Sequence, residues 1–165
     1  MGKTIILNLS GVKLSGDVLD VGESYGVIYN ISKDAIDEVS IDLLEGDIDE
    51  KKITQKYDTC TIFFYLSNLW VESSRADLIK EVNKLIKVGG EMYIWDINKE
   101  MGEISNNKVM TVLPSGKIKE FEFKNLNPIS KSNIDDTKNL LSDTYSIKEE
   151  KLWEDIFFIK GEKIK

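Results

Sequence analysis

The stretch GDVLDVGESYG, residues 16–26, contains residues whose types and spacing suit ligand binding. Apolar residues around Asp20 run into Gly22, which is typical of a buried strand that ends in a ligand-binding loop. Gly22 lets a ligand approach the backbone, and the N–H groups of a following helix suit a carboxylate or phosphate. Asp42 comes roughly twenty residues later, at a predicted strand end, where an acid can accept hydrogen bonds from both ribose hydroxyls. Adenosine attached to an anionic group would suit this arrangement.

The absence of histidine from the 165 residues limits the chemistry. Histidine triads, histidine zinc sites and histidine acid–base catalysis are excluded, and we predict no metal site. The one cysteine, Cys60, lies in the apolar segment DTCTIFFYL, so a disulfide framework or cysteine metal cluster is excluded as well. We expect Cys60 to be a buried strand residue. Any catalysis must use carboxylates, tyrosines, lysines or the placement of the reactants.

Composition indicates one domain over residues 1–165, with 41% hydrophobic and 31% charged residues. The net charge of −7 opposes phosphate neutralisation, so nucleic acid and an acidic membrane are disfavoured as partners. No apolar run approaches the roughly 20 residues of a bilayer span, and the first residues do not fit a signal peptide. We therefore expect a cytoplasmic protein.

The elements that would position these residues alternate between strands and helices. Apolar periodicity predicts strands at DVLDVG, EVSIDL, YDTCTIFFYL and EMYIWDIN, with the second ending near Asp42. A helix is predicted between the first two strands, from apolar positions at helical spacing: Val27, Ile28, Ile31 and Ile36. EGDIDEKKITQK indicates a short, poor helix. Another is predicted from a capping box of Ser74 and Asp77 to a stop at Gly89 and Gly90.

The remaining residues predict a hairpin, a helix and two strands. KVMTVLPSGKIKEFEF alternates about a Pro-Ser-Gly turn, which predicts a β-hairpin over residues 108–123. Ser132 and Asp135 predict the start of a helix through Leu141, and the last two strands are expected to join near Glu154. This order predicts an α/β protein with a doubly wound sheet. Ligands bind such sheets at the carboxyl ends of strands, where the expected edge residues are Gly22–Gly26, Asp42, Ser67, Asn68 and Asp96.

Several segments together resemble class I S-adenosylmethionine-dependent methyltransferases. They are VLDVGESYG with Asp42, YDTCTIFFYLSNLW, LIKEVNKLIKVGGEMYIWDIN and NIDDTKNLLSDTYSIKEEKLWEDIFFIKGEK, which cover most of residues 16–163. Lys-Val-Gly-Gly before a strand is similar to that family's Lys-Pro-Gly-Gly turn. The resemblance implies a Rossmann-like, mostly parallel sheet with an antiparallel C-terminal strand, here with the β-hairpin as an insertion. It also implies S-adenosylmethionine as the cofactor.

The resemblance implies roles for individual residues by position. Asp20, Gly22 and Gly26 match the family's first motif, and Asp42 matches its ribose-binding acid. The residues implied in cofactor binding are Asp20, Gly22, Glu23, Ser24, Tyr25, Gly26, Asp42, Asp47, Ile48, Tyr65 and Leu66. Asp47 and Ile48 belong to the segment near the adenine in the family. Candidates for the methyl-transfer site are Tyr65, Ser67, Asn68 and Asp96, and no base is assigned.

The chain departs from the family pattern in two places. Ser24 replaces the middle glycine of the loop, which adds a side chain where the family brings backbone against the cofactor. Residues 43–57 leave little room for the usual helix and third strand. The Asn-Pro-Pro-aromatic motif of amine methylation is absent, and so is a catalytic cysteine, because Cys60 lies within a predicted strand.

Some residues keep a second interpretation. Asp20 either contacts the ligand or holds the loop, and Asp96 is either a base or substrate ligand or a solvated acid. Tyr65 and Trp70 either line a pocket or pack. The hairpin either recognises substrate, covers a sheet edge or forms a homodimer. Other aromatic residues in strand patterns are expected in the core: Phe63, Phe64, Trp95, Phe157 and Phe158.

The leading hypothesis is an S-adenosylmethionine-dependent methyltransferase that acts on a small molecule or an unidentified substrate. The first alternative is a catalytically degenerate member of the same fold that serves as an interaction module, which Ser24 and the shortened region favour. The second is a nicotinamide-dependent oxidoreductase. It is disfavoured because the loop lacks Gly-x-Gly-x-x-Gly and the chain ends in an apparent antiparallel strand pair.

Overall fold

The computed structural model describes residues 3–22, 24–33, 39–44 and 56–165. These residues form helices α1 (Val27–Lys33), α2 (Glu72–Asn83) and α3 (Ile134–Leu141), and 3-10 turns at Ser24–Gly26 and Leu66–Asn68. They form strands β1 (Thr4–Asn8), β2 (Gly16–Val21), β3 (Val39–Leu44), β4 (Tyr57–Phe63), β5 (Ile86–Ile97), β6 (Ser105–Val112), β7 (Ile118–Asn125), β8 (Tyr145–Trp153) and β9 (Ile156–Lys163).

The main sheet has six strands in the order β3-β2-β4-β5-β9-β8. Neighbours from β3 to β5 run parallel, whereas β9 is antiparallel to both β5 and β8. The chain passes outward from β2 to β3 on one side and from β4 to β5 on the other. The winding therefore reverses between β2 and β4. This confirms the predicted Rossmann-like α/β sheet with its antiparallel C-terminal strand.

The strand β4 lies inside this sheet, with buried side chains on both of its faces. It pairs with β2 and β5, and almost all of its side chains are buried, including Cys60 as predicted. A continuous apolar run is typical of a parallel strand covered by other layers on both faces.

A second sheet of three strands, in the order β1-β6-β7, contains the hairpin. The predicted hairpin is confirmed and is slightly longer, since β6 and β7 span residues 105–125. The strand β1 was not predicted. It is short, with alternating exposed and buried residues, and it pairs in parallel with β6 from Thr4 opposite Lys108. A partner about a hundred residues away leaves no local pattern in the sequence.

Two apolar clusters cover the two faces of the main sheet. One face packs against α1 and the three-stranded sheet, in a cluster that includes Ile28, Trp95 and Phe121. The other packs against α2 and α3, in a cluster that includes Ile79, Ile94 and Leu141. The aromatic residues predicted in the core are buried: Phe63, Phe64, Trp95, Phe157 and Phe158.

The predicted limits of α2 are wrong at both ends. The helix begins at Glu72 after Val71, which makes no side-chain cap, so Ser74 lies inside it. It ends at Asn83, and Gly89 and Gly90 lie within β5, where pairing with β4 is irregular. The positive φ of 86° at Gly89 fits this irregularity. A glycine pair that looks like a helix stop here shapes a strand.

The start of α3 also differs from the prediction by one residue. Asn133 is the N-cap, because its side chain accepts a hydrogen bond from the Asp136 N–H at 2.8 Å. Ser132 instead donates its hydroxyl to the Ile97 carbonyl at 2.8 Å. Both residue types cap helices well, so sequence could not choose between neighbours.

The remaining sequence predictions concern the last strand pair, the segment before β4 and membrane spans. The last two strands, β8 and β9, are joined at Glu154 and Asp155 as predicted. Ile36 and most of the predicted poor helix in EGDIDEKKITQK lie outside the described residues. Among the described helices, none combines the length and the apolar character that crossing a membrane requires.

Candidate functional site

The candidate site lies where β2 and β4 end side by side. Gly22 follows β2 with a φ of 81°, a conformation that favours glycine. A Cβ added to Gly22 would lie 2.7 Å from Cδ2 of Tyr65, which follows β4. The Tyr65 ring therefore lies against the glycine loop. The backbone at Gly22 is at the reversal point of the sheet, where open α/β sheets bind ligands.

The rest of the loop is fixed by the three-stranded sheet. Ser24–Gly26 forms a 3-10 turn in which Tyr25 has a φ of 52°, which is unfavourable for a residue with a side chain. Its ring stacks on Phe121 of β7, with the ring centroids 4.2 Å apart. A Cβ added to Gly26 would lie 3.3 Å from the Lys119 Nζ. The hairpin therefore supplies contacts to the predicted cofactor loop.

Asp20 connects the ends of the two central strands. Its carboxyl is buried, and Oδ1 accepts a hydrogen bond from the Thr61 hydroxyl of β4 at 2.8 Å. This contact fixes β2 against β4 just before the glycine loop. The geometry favours the interpretation in which Asp20 holds the loop.

Asp96 is fully buried near the end of β5, so its interpretation as a solvated acid is wrong. Its Oδ2 accepts from the Ser67 N–H at 2.9 Å, and its Oδ1 accepts from the Ile97 N–H at 2.8 Å. Burial raises the pKa of Asp96 to about 6, against the effect of these hydrogen bonds and of the more distant Arg75. Asp96 therefore positions the turn that follows β4.

A second side chain holds the same turn from the hairpin. Asn125, the last residue of β7, donates its Nδ2 to the Ser67 carbonyl at 3.1 Å. The Asn125 Oδ1 accepts from the Asn127 N–H and the Ser130 hydroxyl, each at 3.3 Å. Ser67 is buried between Asp96 and Asn125, and Asn68 beside it is exposed. Of this pair, Asn68 is thus the one open to solvent.

Backbone strain marks the end of β4. Phe64 has a φ of 54°, and its N–H donates to the Trp95 carbonyl at 2.7 Å. Its ring packs edge-on against Phe63 and Phe121. Non-glycine residues hold such angles only where the surrounding packing enforces them, commonly at functional sites. No feature of the sequence indicated strain at Phe64 or Tyr25.

The structure describes some of the remaining predicted cofactor residues and not others. The backbone of Asp42 lies in β3, opposite Leu19 of β2. The strand continues to Leu44, two residues past the predicted end. Leu66 is buried in the 3-10 turn after β4. Glu23, Asp47 and Ile48 lie outside the described residues.

Sequence reasoning missed the residues that reach this edge from distant segments. Phe121 and Asn125 come from the hairpin, and Arg75 comes from α2. Nothing in the sequence indicated Arg75, and the only indication of Phe121 and Asn125 was the interpretation in which the hairpin recognises substrate. Which of its residues point inward depends on the pairing with β1, which the sequence did not reveal.

Structural comparison identifies the fold. The chain is similar to the crystal structure of an S-adenosylmethionine-dependent methyltransferase from Clostridium acetobutylicum ATCC 824, with 12% identity, 92% of this chain and 85% of that chain covered, and a TM-score of 0.61. It is also similar to a SAM-dependent methyltransferase from Aquifex aeolicus, with 15% identity, 90% and 82% coverage, and a TM-score of 0.58.

A third similar structure carries a ligand. The glycopeptide N-methyltransferase MtfA, complexed with S-adenosyl-L-homocysteine, has 14% identity, with 93% of this chain and 85% of that chain covered, and a TM-score of 0.53. No family model and no curated protein sequence matches the chain. At these identities the comparison establishes the fold, which is that of class I S-adenosylmethionine-dependent methyltransferases.

Proposed function

We propose that the protein is an S-adenosylmethionine-dependent methyltransferase that acts on a small molecule or another substrate not yet identified. The observation that carries the proposal is the Gly22 loop at the reversal point between β2 and β4. It combines a positive φ with a backbone free of a side chain, within a fold found in methyltransferases. The complex of MtfA with S-adenosyl-L-homocysteine supports this choice of cofactor.

The residues at this edge fit the cofactor in type. The backbone around Gly22, Tyr25 and Gly26 would hold its methionine part, and Asp42 would accept from the ribose hydroxyls. The loop residues Glu23 and Ser24, the adenine-side residues Asp47 and Ile48, and the turn residues Tyr65 and Leu66 complete the proposed set. When bound, S-adenosylmethionine supplies a methyl carbon to which an acceptor lone pair bonds as the methyl–sulfur bond breaks and its electrons stay on sulfur.

The contribution of the protein is positioning. Asp96 and Asn125 fix the Ser67 backbone from two sides, which sets the place of Asn68 at the edge. Holding two reactants in line supplies much of the rate enhancement in such a transfer, so the absence of histidine is compatible with it. Among the other weak candidates, Tyr65 lies against the glycine loop and Ser67 is buried.

Calorimetric titration with S-adenosylhomocysteine tests the proposal. Asp42→Ala is expected to abolish saturable binding while the protein stays folded. Asp17→Ala removes an exposed acid from the opposite end of β2 and is the matched control. Retained binding in Asp42→Ala would overturn the assignment of the ribose site.

One observation favours the alternative of a degenerate fold that serves as an interaction module. The Tyr65 ring lies against Gly22, and Phe121 covers Tyr25, so side chains already contact the loop. This alternative predicts no binding of S-adenosylhomocysteine at millimolar concentration. A nicotinamide-dependent oxidoreductase would instead bind a dinucleotide in the same titration.

We propose one domain over residues 1–165, a cytoplasmic location, and no nucleic-acid partner, which the net charge of −7 supports. The proposed homodimer through the hairpin at residues 108–123 has a limited surface, because β6 already pairs with β1. The strand β7 pairs with no described strand other than β6, so its edge is the part that a second copy could extend.

A further inference from the structure

Arg75 is the only arginine of the chain, and it is buried. It lies on α2 with 7% of its surface exposed. Its Nε donates to the Leu69 carbonyl at 2.7 Å, which is the only hydrogen bond that its side chain makes to the residues the structure describes. A guanidinium has five N–H donors. Four of them therefore lack a partner in this part of the chain, and Nη2 is fully enclosed.

Two of the three acids that act on Arg75, Asp136 and Asp96, are engaged with other groups. Asp136 pairs with the Lys131 Nζ at 3.1 Å and accepts from the Asn133 Nδ2 at 3.1 Å. Asp96 accepts from two backbone N–H groups. Burial lowers the pKa of Arg75, and Asp96, Asp136 and Glu72 only partly offset this effect. A buried charge without hydrogen-bond partners is costly, so a guanidinium with unused donors indicates a binding partner that accepts from them.

Arg75 forms part of the wall of a pocket of about 140 Å³. Lys131 and the acids Glu72 and Asp136 line the same pocket. Lys131 is already paired with Asp136, so Arg75 is the basic side chain of the pocket that has no ion-pair partner among the described residues. Three apolar residues that also line it are unusually exposed: Trp70 at 64%, Met101 at 65% and Ile129 at 75%. The cavity is smaller than the roughly 300 Å³ of typical small-molecule sites, so it suits a charged group while the exposed residues contact an apolar body.

The pocket adjoins the proposed methyl-transfer site. Trp70 follows the turn that carries Ser67 and Asn68, and the Leu69 carbonyl in that segment is the one bound to Arg75. Asp96 lies close enough to affect the pKa values of residues in both the glycine loop and the pocket. Burial, and secondly the Asp96 charge, raise the pKa of Tyr25 in the glycine loop, and the same charge acts on Arg75.

We propose that this pocket binds the carboxylate of a small substrate with an apolar body, with Arg75 as the anion-binding residue and Trp70 and Ile129 as the apolar contacts. The carboxylate is the recognised group and not the methyl acceptor. Charge-assisted hydrogen bonds from a guanidinium to a carboxylate are among the strong ones in proteins, and Arg75 has donors without a partner among the described residues. The role as acceptor subsite rests on the proposed methyltransferase function, whereas the binding of a carboxylate does not.

Because Arg75 is the only arginine of the chain, NMR can follow carboxylate binding directly at its side chain. In a ¹⁵N-labelled protein, the Arg75 Nε–H produces one side-chain resonance that needs no variant for its assignment by type. Titration with acetate, butyrate, 3-methylbutanoate and benzoate is expected to shift this resonance, with affinity rising with apolar size. The matched amides are expected to bind at least tenfold more weakly. No shift with any carboxylate at tens of millimolar, or equal binding of the amides, would overturn the proposal.

Variants of Arg75, together with titration of S-adenosylhomocysteine, distinguish a substrate carboxylate from the carboxylate of the cofactor. Arg75→Gln is expected to lose benzoate binding at least tenfold, Arg75→Lys to keep part of it, and Lys80→Gln, on the exposed side of the same helix, to keep all of it. Retained binding in Arg75→Gln would contradict the assignment. S-adenosylhomocysteine also carries a carboxylate, so it is titrated alone. If it shifts the Arg75 resonance and displaces benzoate, Arg75 belongs to the cofactor site and the subsite proposal fails.

These outcomes are distinguishable from failure of the proposed function. Benzoate binding through Arg75 without any binding of S-adenosylhomocysteine would leave the carboxylate pocket standing and remove the methyltransferase proposal. Binding of S-adenosylhomocysteine without any carboxylate effect would do the reverse.

Discussion

Gly22 is the residue whose replacement tests the glycine loop most simply. Gly22→Ala places a Cβ at a φ of 81° and 2.7 Å from the Tyr65 ring. We expect the free energy of unfolding to fall by about 2–3 kcal/mol, from the backbone strain and the displaced ring together. Chemical denaturation measures the loss, and the same variant should bind S-adenosylhomocysteine more weakly.

Gly116→Ala is the matched control, because Gly116 has a φ of 88° and no atom within 4 Å of an added Cβ. It should show the strain of the backbone alone, on the order of 1 kcal/mol. If the two variants lose the same free energy of unfolding, the Tyr65 ring moves away from the added Cβ at no cost and does not pack firmly against the loop.

Asp96 predicts a pH dependence of stability. Its pKa is about 6 in the folded protein because of burial, compared with about 3.9 in an unfolded chain. The folded state therefore binds more protons between these values, and this residue makes the protein less stable as pH rises from about 4 to about 6. Asp96→Asn removes that dependence. The stability of the variant relative to wild type is expected to rise by about 2–3 kcal/mol between pH 4 and pH 7.

Urea denaturation at several pH values measures this difference. The exposed Asp143→Asn serves as the comparison for a change of charge at the surface. A difference between Asp96→Asn and wild type that does not change with pH would mean that Asp96 is not held in the buried state described here.

At the scale of elements, the contact between the hairpin and the glycine loop joins the two sheets. Phe121 is buried and stacks on Tyr25 while it also packs edge-on against Phe63. We expect Phe121→Ala to cost about 3–4 kcal/mol of stability. In a double-mutant cycle with Tyr25→Ala, the coupling energy should be about 1 kcal/mol, typical of an aromatic pair. Additive effects would show that the hairpin and the loop are energetically independent.

The sequence predicted most elements because their information is local. The buried strand β4, the hairpin and the final strand pair follow from apolar patterns and turn residues. What failed depended on distant or ambiguous partners. Among the described strands, β1 pairs only with β6, far along the chain, and the Gly89–Gly90 pair serves as an irregularity in β5 instead of a helix stop.

The candidate site was predictable to a similar extent. Glycines and acids at strand ends indicated the edge where Gly22 and Asp96 lie. The sequence could not show that Asp96 is buried, because one of its partners, the Ser67 N–H, belongs to a distant segment. It also could not place Arg75 or Asn125 at this edge, since the packing of α2 and the second sheet decides their positions.

For the whole molecule, the hairpin surface predicts the oligomeric state. The outer face of β6 and β7 is rich in charged residues, with a Lys108–Glu120 ion pair at 2.8 Å, so a homodimer through this face would bury charge. A dimer is expected only through the β7 edge, which light scattering over a range of protein concentrations detects. Replacing Phe123, which faces the core, tests stability and not assembly, whereas Glu122→Pro should block an edge-to-edge dimer. A dimer that persists in Glu122→Pro would exclude the hairpin edge.

The central claim, that this edge holds S-adenosylmethionine, is tested most directly by binding of S-adenosylhomocysteine to the purified protein, followed by calorimetry and thermal melting with Asp42→Ala alongside. The account predicts one saturable site that is lost in the variant. At about 100 times the dissociation constant, the ligand should add about 2.7 kcal/mol, which raises the melting temperature by several degrees. No heat and no shift at millimolar ligand would contradict the account, and would leave a methyltransferase fold without its cofactor.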